Sequence, residues 1–293
     1  MRSSSDPGCG QRTADRAQTE NQSRHRGDRP KVLHIVGIGP GHVTHLSRRA
    51  AEVLAAVDTV AGYTTYIDLI RPLVAEKTIV STGMMKEVDR VDAALAAAIV
   101  GNATAIVSSG DPGIYAMAGL VLEMCRDRGI PIAPMREMAT APAGDPRLFI
   151  EVVPGIPALA SGAALLGAPL THDFATISLS DLLTPWETIE KRLDAAAAAD
   201  FVIVLYNPKS KRRSGHLARA VEIVMAHRAP DTPTGIVTAA MREGQRVELT
   251  TLDRLAEAEV DMQTTVFIGS SASVRYRDFM ITPRGYGEKY QLA

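Results

Sequence analysis

A glycine turn near the start of the chain has the composition and position of a ligand-binding loop. It has the sequence Gly-Ile-Gly-Pro-Gly at positions 37–41 and follows the apolar segment Val32 to Val36, which predicts a buried strand. A dinucleotide-binding loop would have a third glycine where His42 stands, and a P-loop would have Gly-Lys-Ser/Thr there. Pro40 also lacks the backbone N–H that a phosphate would need. The turn therefore predicts a close backbone approach to a ligand other than a pyrophosphate.

Two further glycine turns follow predicted strands in the same way. One has Ser-Gly-Asp-Pro-Gly at positions 109–113 after the strand Thr104 to Ser108, and the other has Pro-Gly-Ile-Pro at positions 154–157 after Leu148 to Val153. Open α/β sheets bind ligands at the carboxyl ends of their strands, so the three turns predict one site. Asp111 in the second turn is either a helix N-cap or a hydrogen-bonding group that faces the ligand, and its position after a strand end favours the second role.

The hydrophobic pattern that must position these turns changes near residue 155. Before it, strands alternate with helices, which predicts a mainly parallel sheet with further short strands at 59–61 and 78–81 and helices near 46–57, 88–99 and 114–128. The segment 131–146 predicts a surface loop or hairpin. After residue 155, fewer helices (near 185–198 and 213–227) separate strands at 175–179, 201–206, 234–239, 247–251 and 265–268, which predicts a mixed sheet. We therefore predict two α/β domains, 30–155 and 156–288, that meet at a ligand-binding cleft.

Composition and charge are typical of a soluble globular protein. Of the 293 residues, 46% are hydrophobic and 22% are charged, and the net charge of −1 argues against a general nucleic-acid binder. Residues 1–29 are polar, without the apolar core of a signal peptide, and predict a disordered extension. No apolar stretch reaches the ~20 residues of a membrane span. The two cysteines allow no disulfide framework, so we expect a reducing cytoplasm.

Taken together, the three turns resemble those of the tetrapyrrole (cobalamin-type) methyltransferases, which use S-adenosylmethionine. The segments 37–41, 109–112 and 152–156 match the family's three glycine loops in order, and the similarity covers about residues 31–285. Two local departures are visible. Gly-Ser-Ser at positions 269–271 replaces the more usual Gly-Asn-Ser, and the helix after the first loop lacks the common Leu-Thr-Pro start.

Three other segments, at 169–187, 205–208 and 280–286, resemble members of the family that act on ring carbon C-17 of precorrin-3B. The resemblance implies C-methylation of that substrate with contraction of the macrocycle, in cobalamin (vitamin B12) biosynthesis. It also implies a two-domain tetrapyrrole-methylase fold with a mainly parallel N-terminal sheet, a mixed C-terminal sheet and the active cleft between them. A homodimer and a folded S-adenosylmethionine between the domains are further implications.

The resemblance assigns cofactor-binding roles only where positions match the family's motifs. The cofactor-binding residues implied in this way are Gly39, Pro40, Gly110, Asp111, Ile114, Pro157, Ala158, Asn207 and Ala240. Methyl transfer from a sulfonium is an in-line displacement, so alignment in a dry cleft can supply roughly 7–11 kcal/mol of the acceleration. A glycine-rich pocket with few charges suits that task.

Catalytic and substrate-binding roles follow from the implied chemistry. Ring contraction requires proton transfer, and histidine is the side chain best suited to it at neutral pH, so we predict His172, beside Asp173, and Asp111 as catalytic residues. Tyr115, like Tyr63 and Tyr66, has a ring that can pack on a flat macrocycle. Acidic substrate side chains require cations, for which the candidates are Lys211, Arg212 and Arg213, with a second cluster at Arg275, Arg277 and Arg284.

Several alternatives remain open at this stage. A relative of the same fold could methylate another ring position or a cobalt-bearing precursor such as cobalt-factor III, and a non-catalytic S-adenosylmethionine-binding module would bind without turnover. The missing third glycine opposes a nucleotide-dependent oxidoreductase. We predict no protein-bound metal, because His34, His42 and His45 have no convincing set of partner ligands.

Overall fold

The computed structural model describes residues 29–210 and 215–291. Its described residues divide into two compact units, one formed by 29–39 and 43–155 and the other by 40–42 and 156–291. The predicted extension at 1–29, except for its last residue, and the predicted substrate-binding residues Lys211, Arg212 and Arg213 lie outside the described residues.

The first unit is built on a parallel sheet. Six described strands form it in the order β3-β2-β4-β1-β6-β5. Their bounds are β1 Lys31–Gly37, β2 Thr59–Tyr63, β3 Thr78–Thr82, β4 Thr104–Ser108, β5 Ile132–Pro134 and β6 Leu148–Val153. All neighbouring strands pair in parallel, which confirms the predicted parallel sheet. The carboxyl ends of β1, β4 and β6 therefore deliver the three glycine turns to one edge.

Helices cover both faces of this sheet and bury two apolar clusters against it. Their bounds are α1 Arg48–Ala56, α2 Thr64–Val74, α3 Glu87–Ile99 and α4 Met117–Asp127. Helix α1 begins where the Ser47 hydroxyl accepts a hydrogen bond from the Ala50 N–H, an N-cap that satisfies one free donor of the first turn.

Three local predictions for this unit need correction. Helix α2 was not predicted, because β2 runs into it without a turn and Tyr63 itself is the N-cap residue. The segment predicted as a loop or hairpin contains the short strand β5, paired in parallel with β6, and a 3₁₀ helix at Met135–Thr140. Helix α4 begins at Met117 rather than near residue 114, since Tyr115 has a positive φ of 51° that interrupts a helix.

The second unit contains the mixed sheet that the sequence predicted. Five described strands form it in the order β11-β10-β12-β9-β8, where β8 and β9 are parallel and the other pairs antiparallel. Three short strands form a separate sheet, β13-β14-β7, which was not predicted. The bounds are β7 Gly167–Ala168, β8 Phe174–Ser178, β9 Val202–Tyr206, β10 Pro233–Thr238, β11 Arg246–Thr251, β12 Thr264–Ile268, β13 Val274–Tyr276 and β14 Phe279–Ile281.

Two apolar clusters form the core of the second unit, the larger beneath helices α6 and α7 and the smaller around Phe267 and Leu166. The helices are α5 Ala158–Leu166, α6 Trp186–Ala198, α7 His216–Met225 and α8 Tyr286–Lys289. A 3₁₀ helix at Leu252–Glu257 follows β11. None of the helices in the described part of the chain is long and apolar enough to cross a lipid bilayer.

Candidate active site

The three glycine turns meet at the carboxyl edge of the parallel sheet in the first unit. Gly39 and Gly110 exchange two backbone hydrogen bonds, with the Gly39 N–H donating over 3.2 Å and the Gly110 N–H over 2.7 Å. The Ile38 N–H donates to the Ser108 carbonyl over 2.9 Å. The Gly155 N–H donates to the Asp111 carboxylate over 3.2 Å, which connects the third turn to the second. The structure thus brings together the site residues that the sequence predicted on this edge.

Close backbone contact explains why two of these positions are glycine. A Cβ at Gly37 would lie 2.6 Å from the Gly110 carbonyl oxygen, and a Cβ at Gly155 would lie 2.1 Å from that same oxygen. Real Cβ atoms do not approach a backbone oxygen so closely. Gly39 and Gly110 have positive φ values of 69° and 66°, which glycine adopts without strain. The turns therefore pack against one another through backbone atoms.

Asp111 connects two of these turns through its carboxylate. One oxygen accepts a hydrogen bond from the Gly113 N–H over 2.8 Å, and the other accepts the bond from Gly155. It is not the N-cap of α4, because that helix begins six residues later with Ala116 at its N-cap. The carboxylate holds the edge in place, and its predicted catalytic role stays a prediction.

The second turn continues into the other predicted residues of this edge. The Ile114 N–H donates to the Asp111 carbonyl over 3.3 Å, and the next residue, Tyr115, is 54% exposed. Tyr63 and Tyr66 lie edge to face, with ring centroids 5.2 Å apart, at the carboxyl end of β2.

Ser108 is a residue of this edge that the sequence analysis did not identify. It is the last residue of β4, pairs with Gly37 of β1 and is only 2% exposed. Its hydroxyl has no hydrogen-bond partner among the described residues. A buried hydroxyl without a partner is costly, so this atom fits a site that a polar ligand completes. Its small, polar side chain directly after the apolar residues 105–107 was the available sequence signal.

The second unit gathers three of its predicted residues at the carboxyl end of β9. The Tyr206 hydroxyl accepts a hydrogen bond from the Leu159 N–H over 2.9 Å, which holds the start of α5, where Pro157 and Ala158 lie. Asn207 has a positive φ of 53°, and its side-chain amide donates to the Ser178 hydroxyl over 3.0 Å.

Ala240 and Pro40 complete the predicted cofactor residues of this unit. Ala240 packs on the same apolar cluster as Leu159 and Tyr206. The Pro40 carbonyl accepts a hydrogen bond from the Arg242 guanidinium, and a Cβ at Gly41 would lie 2.6 Å from that side chain. Each unit therefore presents its own group of predicted cofactor-binding residues.

His172 lies at the other end of the mixed sheet. It precedes β8, and Phe174 at the start of that strand pairs with Val202, whereas Ser178 at its end pairs with Tyr206. Across the five residues of β8 the two ends are about 15 Å apart. The imidazole Nδ1 accepts a hydrogen bond from the Asp173 N–H over 2.8 Å in a surface depression that Phe174 and Phe201 also line. The structure therefore does not bring His172 together with Asn207.

A different histidine lies at the carboxyl end of β8, where the sequence analysis named none. His216 stacks on Trp186, with ring centroids 4.2 Å apart and an interplanar angle of 16°. Its Nδ1 lies 3.2 Å from the Leu179 carbonyl, and its Nε2 lies 3.6 Å from the Asp181 carboxylate. With Nδ1–H donating to the carbonyl, Nε2 is the atom left to exchange a proton. Trp186, the one tryptophan of the sequence, was the available signal.

Comparison with known proteins identifies the class that this fold and these turns define. The family described as Tetrapyrrole (Corrin/Porphyrin) Methylases matches residues 32–256, and the chain belongs to that family. The resemblance that the glycine turns indicated is therefore confirmed.

Individual relatives extend over most of the chain. A cobalt-factor III methyltransferase of Priestia megaterium is 46% identical over 89% of this chain, which spans 46% of that relative's length. A probable cobalt-factor III C(17)-methyltransferase of Salmonella typhimurium is 43% identical over 87% of this chain and 99% of its own. A precorrin-3B C(17)-methyltransferase of a Sinorhizobium species is 37% identical over 87% of this chain and 97% of its own.

Solved structures agree with this assignment of the fold. The crystal structure of the methyltransferase CobJ has a TM-score of 0.74 and 33% identity, and it covers 86% of this chain and 99% of its own. A uroporphyrin-III C-methyl transferase from Thermus thermophilus, complexed with S-adenyl homocysteine, has a TM-score of 0.59. At 21% identity over 81% of this chain and 96% of its own, it supports the fold alone.

Proposed function

We propose that this chain is an S-adenosylmethionine-dependent methyltransferase that methylates ring carbon C-17 of precorrin-3B, with ring contraction, in cobalamin biosynthesis. The observation that carries the proposal is the 43% identity to a relative named for C(17) methylation, over 99% of that relative's length. Family membership and the three joined glycine turns support the same conclusion.

The glycine turns of the first unit carry the residues that the family resemblance assigns to the donor. Gly39, Gly110 and Ile114 lie in these turns, and the buried Ser108 hydroxyl at the end of β4 is a polar group that a ligand can satisfy. S-adenosylmethionine, when bound, supplies an activated methyl group. In the second unit, the family resemblance assigns Pro40, Pro157, Ala158, Asn207 and Ala240 to the same donor.

The chain's own contribution to methyl transfer is alignment and exclusion of water. The Asp111 carboxylate accepts one hydrogen bond within the second turn, from Gly113, and one from Gly155 in the third, so the two turns hold a defined position for the donor. Correct alignment of the reacting atoms can supply roughly 7–11 kcal/mol of rate acceleration. We propose Lys211, Arg212 and Arg213 for the acidic substrate side chains and Tyr115 for the ring face.

The proton transfer of ring contraction has two candidate histidines. The residue predicted from the sequence is His172, which lies beyond the amino end of β8. His216 lies at the carboxyl end of that strand, beside Asp181. Parallel substitutions, His172→Ala and His216→Gln, distinguish them, because only the acid–base residue should uncouple methylation from contraction.

Cobalt-factor III is a second candidate substrate, since the relatives named for it are 46% and 43% identical and the one named for precorrin-3B is 37% identical. The test incubates the protein with S-adenosylmethionine and each macrocycle in turn, then reads product mass and absorption spectrum. We expect one added methyl group and the spectral change of contraction with one of them. Donor binding by calorimetry without methylation of either would instead support a non-catalytic binding module.

Assembly and location belong to the same proposal. We propose a homodimer in the cytoplasm, as the family resemblance implies. Light scattering of the purified protein tests the first statement, and a monomer at micromolar concentration would contradict it. Fractionation of cells that express the full chain tests the second.

A further inference from the structure

Arg90 is a buried cation that no carboxylate of the described residues neutralises. The residue lies on α3 and is 4% exposed. Among the described residues, no acidic side chain lies within ion-pair distance of its guanidinium. Burial lowers the pKa of Arg90, and Glu87 on the same helix acts in the opposite direction from beyond that distance. Because buried charges in proteins are normally paired, this one indicates an anion that arrives with a ligand.

The guanidinium lies at the edge that carries the glycine turns. Its Nε donates to the Thr82 hydroxyl over 2.9 Å and its Nη2 to the Gly83 carbonyl over 3.1 Å, both at the carboxyl end of β3. Its Nη1 lies 3.7 Å from the Met117 sulfur, at the start of α4. The ring of Tyr63, at the carboxyl end of β2, has its centroid 6.0 Å away. Arg90 thus lies where the ends of β2 and β3 meet the turn that follows β4.

These contacts leave donors for a ligand. A guanidinium has five N–H groups, and the hydroxyl and the carbonyl occupy two of them. The thioether is only a weak acceptor for a third. Gly83, whose carbonyl is one partner, is exposed, and a Cβ there would meet nothing within 4 Å. The backbone beside this partner of Arg90 is therefore open to solvent, and this is the side from which a carboxylate would reach the guanidinium.

Exposed apolar side chains surround this approach. Met84, Met85 and Tyr115 are 59%, 68% and 54% exposed. Met85 and Tyr115, with φ values of 62° and 51°, are also the two non-glycine residues of positive φ in the described part of the first unit. Backbone strain of this kind costs energy and concentrates at functional sites. Apolar groups held out to solvent by strained backbone suit the face of a flat macrocycle.

We propose that Arg90 binds an acidic side chain of the tetrapyrrole, while Met84, Met85 and Tyr115 contact the apolar face of its ring. The inference deepens the proposed function and rests on it, because it takes the substrate to be a macrocycle with carboxylate side chains. A guanidinium and a carboxylate form two parallel hydrogen bonds, so the contact also fixes the orientation of the ring.

The test compares Arg90→Gln and Arg90→Lys with the wild-type chain on whichever of precorrin-3B and cobalt-factor III the wild type methylates. Loss of a charged hydrogen-bonding partner should raise the KM for the macrocycle about 10- to 100-fold in Arg90→Gln. Lysine keeps the charge but cannot form the two parallel hydrogen bonds of a guanidinium, so Arg90→Lys should give an intermediate KM. The Kd for S-adenosylmethionine without macrocycle should remain within about twofold of wild type.

Arg228→Lys is the matched control, because Arg228 is equally buried but belongs to an ion pair with Asp200 in the second unit. It should lower the unfolding temperature and leave the KM for the macrocycle unchanged. An unchanged KM in both Arg90 variants, or an equal loss of donor and macrocycle binding, would overturn the inference. If Arg90→Gln does not fold, the KM of Arg90→Lys decides alone. A wild type that methylates neither macrocycle refutes the proposed function instead.

Discussion

The first unit joins its strand ends through backbone atoms, whereas the second joins its own through side chains. At the glycine edge, Gly39 and Gly110 exchange backbone hydrogen bonds, and the Gly155 N–H is held by Asp111. In the second unit, the Tyr206 hydroxyl holds the start of α5, and the Asn207 amide bonds to Ser178. The first arrangement packs the turns together through main-chain atoms, and the second connects the ends of strands and helices through hydrogen-bonded side chains.

The two buried arginines show the same contrast. Arg228 in the second unit lies 3.0 Å from the Asp200 carboxylate and donates to the Ala197 and Phe201 carbonyls. Arg90 in the first unit has a hydroxyl, one carbonyl and a thioether as partners. The difference indicates that the two buried charges serve different purposes. We infer that Arg228 stabilises the fold, whereas Arg90 is the arginine that we propose for ligand binding.

Gly155→Ala should give the largest effect and tests whether the glycine edge depends on backbone contact. The new Cβ would lie 2.1 Å from the Gly110 carbonyl oxygen, and overpacking of this kind costs about 3 kcal/mol of unfolding free energy. Urea unfolding measures the loss, and calorimetry should show weaker binding of S-adenosylmethionine. Gly119→Ala is the control, since its Cβ on α4 meets nothing and should stabilise by ~0.5–1 kcal/mol. Equal stability of the two variants would show that the glycine edge does not depend on close backbone contact.

Substitution of each arginine by methionine tests whether the two differ in their contribution to stability. Arg228→Met leaves Asp200 and two carbonyls without their donor and should lower the unfolding free energy by about 2 kcal/mol. Arg90→Met removes a buried charge that has no carboxylate partner among the described residues. It should change the unfolding free energy by less than about 1 kcal/mol. Parallel urea titrations give both values. The reverse order would show that Arg90 is the structural arginine.

Tyr206→Phe tests the side-chain connection in the second unit. Without the hydroxyl, the Leu159 N–H at the start of α5 loses its acceptor, and we expect a loss of about 1 kcal/mol. Tyr276→Phe serves as the control, because that ring is 58% exposed and should be neutral. A neutral Tyr206→Phe, measured by the same thermal and urea unfolding, would mean that this hydroxyl does not hold the helix.

Mild acidification gives the smallest effect and concerns the first unit. Burial lowers the pKa of His34, and Glu151, 2.8 Å away, offsets part of this shift. Below the ordinary pKa of about 6.5 the unfolded chain therefore binds the proton more readily, and stability falls as the pH drops through the folded pKa. The urea midpoint should decrease between pH 7.5 and pH 5.5, and His34→Gln should reduce that decrease. The same slope in both proteins would exclude His34 as its source.

Much of the fold followed from local patterns. Strands such as Thr104–Ser108 lie where the apolar runs predicted them, and the mixed second sheet followed from predicted strands with few helices between them. The prediction failed where two elements join without a turn residue, as at Tyr63 before α2, and where short strands such as β7 pair with distant ones. Such pairing depends on contacts that periodicity does not contain.

Some residues of the candidate site could likewise be predicted from the sequence, and others could not. The glycine turns could be predicted because glycine and proline restrict the backbone in ways that a sequence shows. His172 and His216 lie at opposite ends of β8. This arrangement depends on the direction of the chain in the folded sheet and could not be predicted from the sequence. Ser108 and Arg90 carried no motif at all.

By itself, the sequence determined the main strands of both sheets, the three glycine turns and the family, because hydrophobic periodicity and backbone restrictions act over a few residues. Only the tertiary structure decided that a side chain at position 155 would collide with the Gly110 carbonyl. It also decided that Arg90 is buried with no carboxylate of the described residues paired to it. The physical reason is that steric contact and desolvation depend on atoms brought together from distant parts of the chain. No local spacing records how near those atoms come.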